Sequence, residues 1–584
     1  MPTLNWIGKD KVVTHHHDVP YRVLDQKYTF GDVPNSGNKI IHGDNLEALK
    51  ALLPEYEGKV NCIYIDPPYN TGEEKWIYND NVNDPHIQRW LHDTFHESGV
   101  TVDDLTRHDK WLCMMYPRLV LLCKLLSKDG IFFVSIDDNE FANLKIICDD
   151  IFGCDNFVGF FSWKCRAKPS NTGSAKVKPQ NDSEFILCYK GKGTPSFLTV
   201  TSGKERSYPH NDKDGNYRLQ TILKSNRGEN KRGTMTFSLA GYTPPSTKRW
   251  QAGETTIEEL YKKNRITFET GEPMLKYYQH EENEETSPFW CHLDPSVSKT
   301  AEFGKNILNS ILGNTHGFDT VKPVPLIEYL LMHTTHKDAI ILDSFAGSGT
   351  TAHAILNLNK KDGGERKFIL CEMMDYADTI TAERIKRVIS GYEAKSEIET
   401  ELFSEPLTAN KLKYGVVLLE QAQNVYNENK DKFDKISKPK VIDNCLKVIG
   451  TNINKEYTEG TGGSFEFYEL GDSIFDPVTG FLNDNADAEQ IRRYIWYSET
   501  KTPYIKPDKD ENPYLLGRYQ HNNYYFYYTK DESTCLNWDF LNTLTEKDKA
   551  EMYIIYADRC VLTEEEMMKY NIRFKQIPRD IKRV

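Results

Sequence analysis

Four consecutive residues, Asp66, Pro67, Pro68 and Tyr69, combine a carboxylate, two prolines and an aromatic ring, and Asn70, Thr71 and Gly72 follow as a turn. A carboxylate accepts hydrogen bonds from an amine, and a proline, which has no N–H, offers only its carbonyl as a second acceptor. Two acceptors aimed at one exocyclic amine draw its lone pair out of conjugation with the ring and leave the nitrogen nucleophilic. Tyr69 supplies a flat face for that ring to stack on. These residues therefore suit capture of a planar base bearing an amino group. No separate general base is needed where the acceptor is a strongly activated methyl group. The plain alternative is a strand-ending Asp-Pro-Pro turn with a packed tyrosine.

A second chemical stretch spans residues 339–359, A-I-I-L-D-S-F-A-G-S-G-T-T-A-H-A-I-L-N-L-N. It reads as a strand ending at Asp343, a turn holding Phe345, Gly347 and Gly349, and a helix opening near Thr350. The glycines let backbone approach a ligand closely, and a helix start presents free N–H groups to it. A further strand at 367–371 ends in Glu372, about 25 residues after Gly347, the arrangement that grips ribose hydroxyls. The third glycine of a dinucleotide fingerprint is missing, which points to an adenosyl ligand without a pyrophosphate. A tight turn with no ligand is the alternative.

Strands and helices must place these two stretches. Residues 60–65, V-N-C-I-Y-I, have the composition of a buried strand that stops at Asp66. Before them, 39–44 reads as a strand ending in Gly43-Asp44, and 45–53 as a helix carrying Leu46, Leu49 and Leu53. After them, 109–126 carries the apolar stripe Leu112, Met115, Leu119, Leu122 and Leu126 of an amphipathic helix, with Pro117 inside it. Residues 131–136 make another buried strand, 141–152 a helix and 183–189 a strand. Strand, helix and strand within thirty residues is the grammar of a parallel sheet, whose ligands gather beyond the strands' carboxyl ends. Residues 1–35 read as polar and irregular. Trp76, Tyr78 and Trp90 are scattered through the polar stretch 73–108. Beyond 396, a helix is predicted over 411–427 and strands at 464–470, 524–528 and 552–556, with no catalytic grouping and an accessory or assembly role.

The chain of 584 residues has a net charge of −13, which argues against a surface that coats nucleic acid everywhere. Between Phe161 and Trp250, however, 17 Lys and Arg face 6 Asp and Glu, so one basic segment sits on an acidic body. That is the footprint of a localised phosphate-binding surface. Its candidate contacts are Lys164, Arg166, Lys168, Lys176 and Lys178 in a loop expected to be mobile, and Lys231, Arg232, Lys248 and Arg249 with neighbouring aromatics that include Trp250. Twelve cysteines without a C-x-x-C pair give neither a zinc site nor a disulfide framework, and no metal ligands are predicted. His15-His16-His17 is read as a polar loop rather than a metal tract. The N-terminus has no secretory signal and no run reaches the roughly 18 apolar residues of a membrane span, so a cytoplasmic location is expected.

The pair Asp66-Pro67-Pro68-Tyr69 and Phe345-Ala346-Gly347-Ser348-Gly349 resembles the S-adenosylmethionine-dependent amino-methyltransferases that act on exocyclic amines of DNA bases. The catalytic motif precedes the cofactor motif by nearly 280 residues, the permuted order of the β class. Y-N-D-N-V-N-D-P (78–85), R-H-D-K-W-L-C-M-M-Y-P-R-L (107–119), F-V-S-I-D-D-N-E (133–140), G-G-S-F-E-F-Y-E-L (462–470) and F-K-Q-I-P-R-D-I (574–581) resemble the modification subunit of type III restriction–modification systems. The resemblance implies an α/β fold: a Rossmann-like methyltransferase core, circularly permuted, with an inserted target-recognition domain and a C-terminal α+β domain. The implied divisions are an N-terminal extension (1–35), a catalytic half (36–158), a target-recognition insertion (159–316), a cofactor half (317–395) and an accessory domain (396–584).

Carried over by residue, Asp66 and Pro67, with Pro68 beside them, hold the target amine, and Tyr69 stacks on a flipped base. Phe345, Gly347, Gly349 and Thr350 form the cofactor turn after Asp343, and Glu372 binds the ribose. Asp44 contacts the cofactor's adenine. Phe318, Lys322 and Pro323 lie beside its methionine end, with Lys322 the contact. The expected reaction is methyl transfer from S-adenosylmethionine to adenine N6 in double-stranded DNA. The resemblance further implies a homodimer and a helicase–nuclease restriction (Res) partner. Cytosine N4 methylation, a solitary adenine methyltransferase, and RNA or a protein amide as substrate are the rival readings, and a non-catalytic DNA-specificity subunit is the rival of another class.

Overall fold

The computed structural model describes residues 3–32, 36–71, 92, 107–169, 177, 179–195, 197–201, 206–227, 231–282, 286–408, 411, 413–442, 444–476, 482–483, 486–502, 504–508, 511–530, 532–544, 549–578 and 581. Lys176, Lys178, Trp76, Tyr78, Trp90 and the 78–85 motif lie outside the described residues. The chain divides into two compact units, one built from Met1–Leu198 with Trp290–Val584 and the other from Thr199–Phe289.

The first unit is organised on a ten-stranded sheet. Its strands, in chain order, are β1 (Arg22–Gly31), β2 (Lys39–His42), β3 (Val60–Ile65), β4 (Leu126–Ile136), β5 (Phe157–Lys164), β6 (Ser183–Lys190), β7 (His292–Leu293), β8 (Ile340–Asp343), β9 (Lys367–Glu372) and β10 (Ser464–Ser473). They lie side by side as β1-β10-β2-β9-β8-β3-β4-β6-β5-β7. From β10 to β4 every pairing is parallel, and antiparallel pairing enters where β1 joins β10 and where β6 joins β4 and β5. This is an open α/β sheet of the Rossmann-like type.

The helices that cross over the sheet follow from apolar spacing. Helix α1 (Asn45–Tyr56) links β2 to β3, and α2 (Arg107–Leu125) precedes β4. Leu46, Leu49 and Leu53 of α1 and Leu112, Met115, Leu119 and Leu122 of α2 join Ile41, Ile63, Ile65, Phe132, Val134 and Leu342 of the sheet in one core. Each such side chain contributes roughly 1.5–3 kcal/mol by leaving water. Pro117 is accommodated inside α2, and α3 (Phe141–Cys148) follows β4. Helices α4 (Ala301–Leu312) and α5 (Val324–Thr334) lead into β8, α6 (Thr350–Asp362) joins β8 to β9, and α7 (Glu383–Ser390) follows β9.

The structure corrects several expectations. Residues 22–31 are not irregular: they form β1, an edge strand whose mostly exposed face leaves no apolar alternation to read. His15–Asp18 is a helical turn rather than a loop, with the Lys50 ammonium donating to the carbonyls of His16 and His17. The strand at 464, grouped above with the C-terminal accessory region, enters the central sheet between β1 and β2 as β10. The rest of the C-terminal region contributes the long ribbon Gly391–Pro406 with Cys445–Glu459, the helix Gly415–Asn429 and a four-stranded sheet over residues 515–576. Strands β5 and β6 also belong to the central sheet, so the separate unit, Thr199–Phe289, is narrower than the 159–316 insertion expected.

That second unit packs a four-stranded sheet and the helix Glu254–Lys262 around Ile222, Leu223, Trp250, Ile257 and Leu275. Trp250, grouped above with aromatics facing nucleic acid, is instead fully buried, and its indole N–H donates to the Phe237 carbonyl at 2.9 Å. Among the described residues, no helix is long and apolar enough to cross a membrane.

Candidate active site

Strands β3 and β8 are neighbours in space although their ends are nearly 280 residues apart in sequence, with Ile341 opposite Cys62 and Leu342 opposite Ile63. From that seam the chain runs outward through β4 on one side and through β9 and β2 on the other. A reversal of strand order opens a crevice at the carboxyl ends of an open α/β sheet, and ligands bind there. Asp66 and the 343–350 turn both end at this crevice. A cavity of about 280 Å³ occupies it, lined among others by Asp66, Pro67, Tyr69, Asp137, Glu184, Lys322, Asp343, Phe345, Ser348 and Thr350.

The Asp66 loop is fixed from behind. The Trp111 indole of α2 donates to the Pro68 carbonyl at 2.7 Å, so Pro68 is a support and Pro67 is the proline that reaches the cavity. Asn70 adopts a left-handed conformation (φ 61°) and is buried, and its amide donates to the fully buried Glu140 carboxylate. Glu140 is held in turn by His108 at 2.6 Å and Asn143 at 2.8 Å.

Four polar groups then meet at one point. The Lys322 ammonium lies 2.7 and 2.8 Å from the two Asp66 oxygens, 2.8 Å from the Tyr69 hydroxyl and 3.2 Å from Glu184 Oε2. The Tyr69 hydroxyl lies 2.8 Å from Asp66 Oδ1 and 2.9 Å from Glu184 Oε2. Burial alone lowers a lysine's pKa, but the Asp66 and Glu184 carboxylates outweigh it and hold Lys322 above its ordinary value, fully charged. Burial, with those same carboxylates, raises Tyr69 well above its ordinary value, so it stays a neutral phenol. Lys322 is positioned by α4: a Cβ on Gly304 would meet the Val321 carbonyl oxygen at 2.2 Å. Gly304→Ala is therefore expected to push α4 off residues 321–322 and destabilise the protein by about 1–3 kcal/mol. A thermal midpoint unchanged in calorimetry would contradict that contact.

The glycine turn is equally determined. Gly347 and Gly349 have φ of 51° and 81°, where a side chain is strained. The Asp343 carboxylate accepts from the Phe345 N–H at 3.0 Å and the Thr351 hydroxyl at 2.5 Å. Glu372 accepts from the N–H groups of Gly347 at 2.7 Å and Met374 at 3.0 Å. Arg384 of α7 is fully buried and donates to Ser348 Oγ at 2.8 Å and Thr350 Oγ1 at 3.0 Å. Helix α6 begins at Gly349 without a side-chain cap, so its first-turn N–H groups remain available at the turn.

Burial pushes both Asp343 and Glu372 up to about 7. Their folded-state values exceed those of an unfolded chain, so the folded state binds more protons between about pH 4 and 7. Their contribution to stability is fully present at the acidic end and is lost as pH rises through 7. Asp343→Asn is expected to gain stability relative to the wild type between pH 5.5 and pH 8. Parallel thermal midpoints across that range would contradict the burial of this charge.

Other predicted residues lie around this centre rather than in it. Asp44 caps α1, accepting from Leu46 N–H at 2.8 Å, and pairs with the buried Arg118 at 3.2 Å. Its neighbour Asn45 ties the loop to the turn by donating to the Ser344 carbonyl at 3.0 Å. Phe318 is buried against Leu308 and Val321, and Pro323 precedes α5 as its cap. Arg166 is exposed and lines the cavity, whereas Lys164 faces Asp182 at 3.6 Å and Lys168 is exposed. In the Thr199–Phe289 unit, Lys231 and Arg232 are exposed, Lys248 pairs with Glu272 at 2.6 Å, and Arg249 is half-buried. Glu184, Arg384, Glu140 and Trp111 were not singled out from the sequence. Glu184 sits in the polar flank of a strand and Arg384 carries no motif spacing of its own, whereas Trp111 and Glu140 lie inside the 107–119 and 133–140 stretches that carry the resemblance, with no role assigned to them there.

Comparison with known proteins agrees with this geometry. The chain is 35% identical over 434 residues to the StyLTI Mod subunit of a type III restriction–modification enzyme from Salmonella typhimurium, covering 67% of this chain and 64% of that protein. It is 29% identical to the EcoP15I Mod subunit of Escherichia coli, covering 67% and 66%. Against the type II methyltransferase M.KpnI of Klebsiella pneumoniae the identity is 31%, covering 60% and 84%. The chain thus spans slightly less than two thirds of the two Mod subunits. The family model for DNA methylase matches residues 60–461, from the first residue of β3 through the glycine turn and beyond. With both strand ends of the cavity inside that match, the chain belongs to the DNA methylase family.

Proposed function

We propose that this protein transfers a methyl group from S-adenosylmethionine to N6 of adenine in double-stranded DNA. The observation that carries the reading is the opening of the Asp66 loop and the 343–350 turn onto one cavity. The residues fit the cofactor: two positive-φ glycines bring backbone close, uncapped N–H groups open α6, and the buried Asp343 carboxyl on the cavity wall offers an acceptor to a hydroxyl group. Asp343, Phe345, Ser348 and Thr350 would hold it from the cavity wall, with Gly347, Gly349 and Glu372 shaping the turn behind them. When bound, the cofactor would supply a sulfonium-activated methyl group for the target amine.

The chain's own residues contribute position and polarisation. The Asp66 carboxylate and the Pro67 carbonyl accept from the target amine. Tyr69 lines the place where the base's ring enters. Because N6 is inaccessible in a stacked duplex, the base must first be flipped out, at a cost of a few kcal/mol. Lys231 and Arg232 serve as phosphate contacts. Replacing both with Ala is expected to weaken binding to every duplex sequence and to reduce the slope of log affinity against log salt by about 1.8. An unchanged slope would remove them from the interface.

Two of the relatives carry the name of type III Mod subunits. They support the reading of this chain as the modification subunit of such a system; a homodimer and a helicase–nuclease partner are what the motif resemblance adds to that reading. Incubating the purified protein with methyl-labelled S-adenosylmethionine and plasmid DNA from a methylation-free host tests the activity. Label recovered as N6-methyladenine is the expected result. Label in N4-methylcytosine overturns the choice of base, and label nowhere in DNA overturns the activity.

A further inference from the structure

We infer that Glu184 is a positioning residue that receives the Lys322 ammonium when a target amine occupies Asp66. The inference rests on the amino-methyltransferase reading and adds a residue to it.

Lys322 bridges both Asp66 oxygens at 2.7 and 2.8 Å, and the Tyr69 hydroxyl lies 2.8 Å from Oδ1 as well. In this arrangement a full positive charge holds the acceptor that the amine needs. A neutral amine competes poorly with an ammonium for a carboxylate, because charge-assisted hydrogen bonds are about twice as strong as neutral ones. The lysine side chain is only 8% exposed, so it cannot be released to water without a large desolvation cost. It needs a second carboxylate within reach. Glu184 Oε2 lies 3.2 Å from the ammonium, and its side chain is 15% exposed.

The geometry also sets the charge count. Asp66, Glu184 and Lys322 sum to one negative charge, so one anionic acceptor remains after the lysine has paired. The Tyr69 hydroxyl lies between the two carboxylates, 2.8 Å from Asp66 and 2.9 Å from Glu184, and has one proton to give. As Lys322 moves onto Glu184, that proton turns toward Asp66, leaving the carboxylate charged and with lone pairs free for the amine. Without Glu184 the group is neutral and the lysine stays on Asp66. Without Lys322 two buried carboxylates face each other across the phenol.

A charge-balance cycle tests this. Single-turnover methyl transfer, dissociation constants for S-adenosylmethionine and plasmid DNA, and thermal midpoints are compared for the wild type, Glu184→Gln, Lys322→Met and the double variant. Glu184→Gln is expected to slow transfer by about 30-fold, the equivalent of one charge-assisted hydrogen bond, with both dissociation constants within about twofold. Lys322→Met is expected to lose more activity and to lower the thermal midpoint. The double variant, which restores the single negative charge, is expected to be faster than either single variant and to melt above Lys322→Met. A wild-type rate in Glu184→Gln, or a double variant no faster than the slower single one, overturns the inference while leaving methyl transfer standing. No transfer by the wild type to any DNA overturns the methyltransferase reading and this inference with it.

Discussion

Replacing Asp66 with Ala is expected to lower methyl transfer by about 10³-fold while leaving S-adenosylmethionine affinity within about twofold. The first figure is the usual effect of removing one preorganised polar group aimed at a reacting atom. The second follows from position: Asp66 ends β3, whereas the 343–350 turn is built on β8 and held by Glu372, Thr381 and Arg384. The fold is expected to tolerate the change, because Lys322 keeps Glu184 at 3.2 Å and the Tyr69 hydroxyl at 2.8 Å. Asp66→Asn retains a carbonyl acceptor without its charge and should fall between the wild type and the alanine variant. Equal loss of turnover and cofactor binding in Asp66→Ala would contradict the separation of roles.

Arg384→Ala is the substitution expected to damage the cofactor turn most. Its guanidinium is fully buried and donates to the Ser348 carbonyl at 3.2 Å, Ser348 Oγ at 2.8 Å and Thr350 Oγ1 at 3.0 Å. Alanine leaves those acceptors in a cavity without donors, at a cost of about 3 kcal/mol or more in stability. The Gly347–Gly349 turn sits directly on this support, and Thr381 at the same place donates to the Gly347 carbonyl at 2.5 Å. Cofactor affinity is therefore expected to fall by at least about tenfold, since an ordering cost of 1.4 kcal/mol already does so. Calorimetry and cofactor titration check both effects. Full affinity in a destabilised variant would show that α7 stabilises the fold without shaping the turn.

These two expectations draw on different parts of what a sequence can reveal. Strands β3, β8 and β9 and the turn after β8 were legible because a buried parallel strand is a short β-branched run and a glycine turn follows it at fixed spacing. Asp66 and Asp343 could be named because each stands at the end of such a strand, whereas Lys322, in the loop before α5, was reached only through the family resemblance of its segment. Their meeting depended on the pairing of β8 with β3, a contact between segments nearly 280 residues apart that no local pattern specifies. Glu184 was invisible for a related reason. It is a charged residue at the mouth of an antiparallel strand, and only the β4–β6 pairing brings it within 3.2 Å of Lys322. Strands β1 and β10 were misplaced because an exposed edge strand has no apolar period, and a lone amphipathic strand does not declare which sheet will accept it. Asp44, implied by the resemblance to contact the cofactor's adenine, also caps α1 and pairs with Arg118. The sequence marks the acid, not its local partners.

Methylation of an exocyclic amine of a DNA base is proposed for the paired strand ends of β3 and β8. It is tested most directly by expressing the protein alone in a methylation-free host and sequencing single molecules of the host's genomic DNA. N6-methyladenine is expected at one asymmetric sequence motif and on one strand of it, and none in cells expressing Asp66→Ala. Unmodified DNA from cells that hold the folded wild-type protein would contradict it.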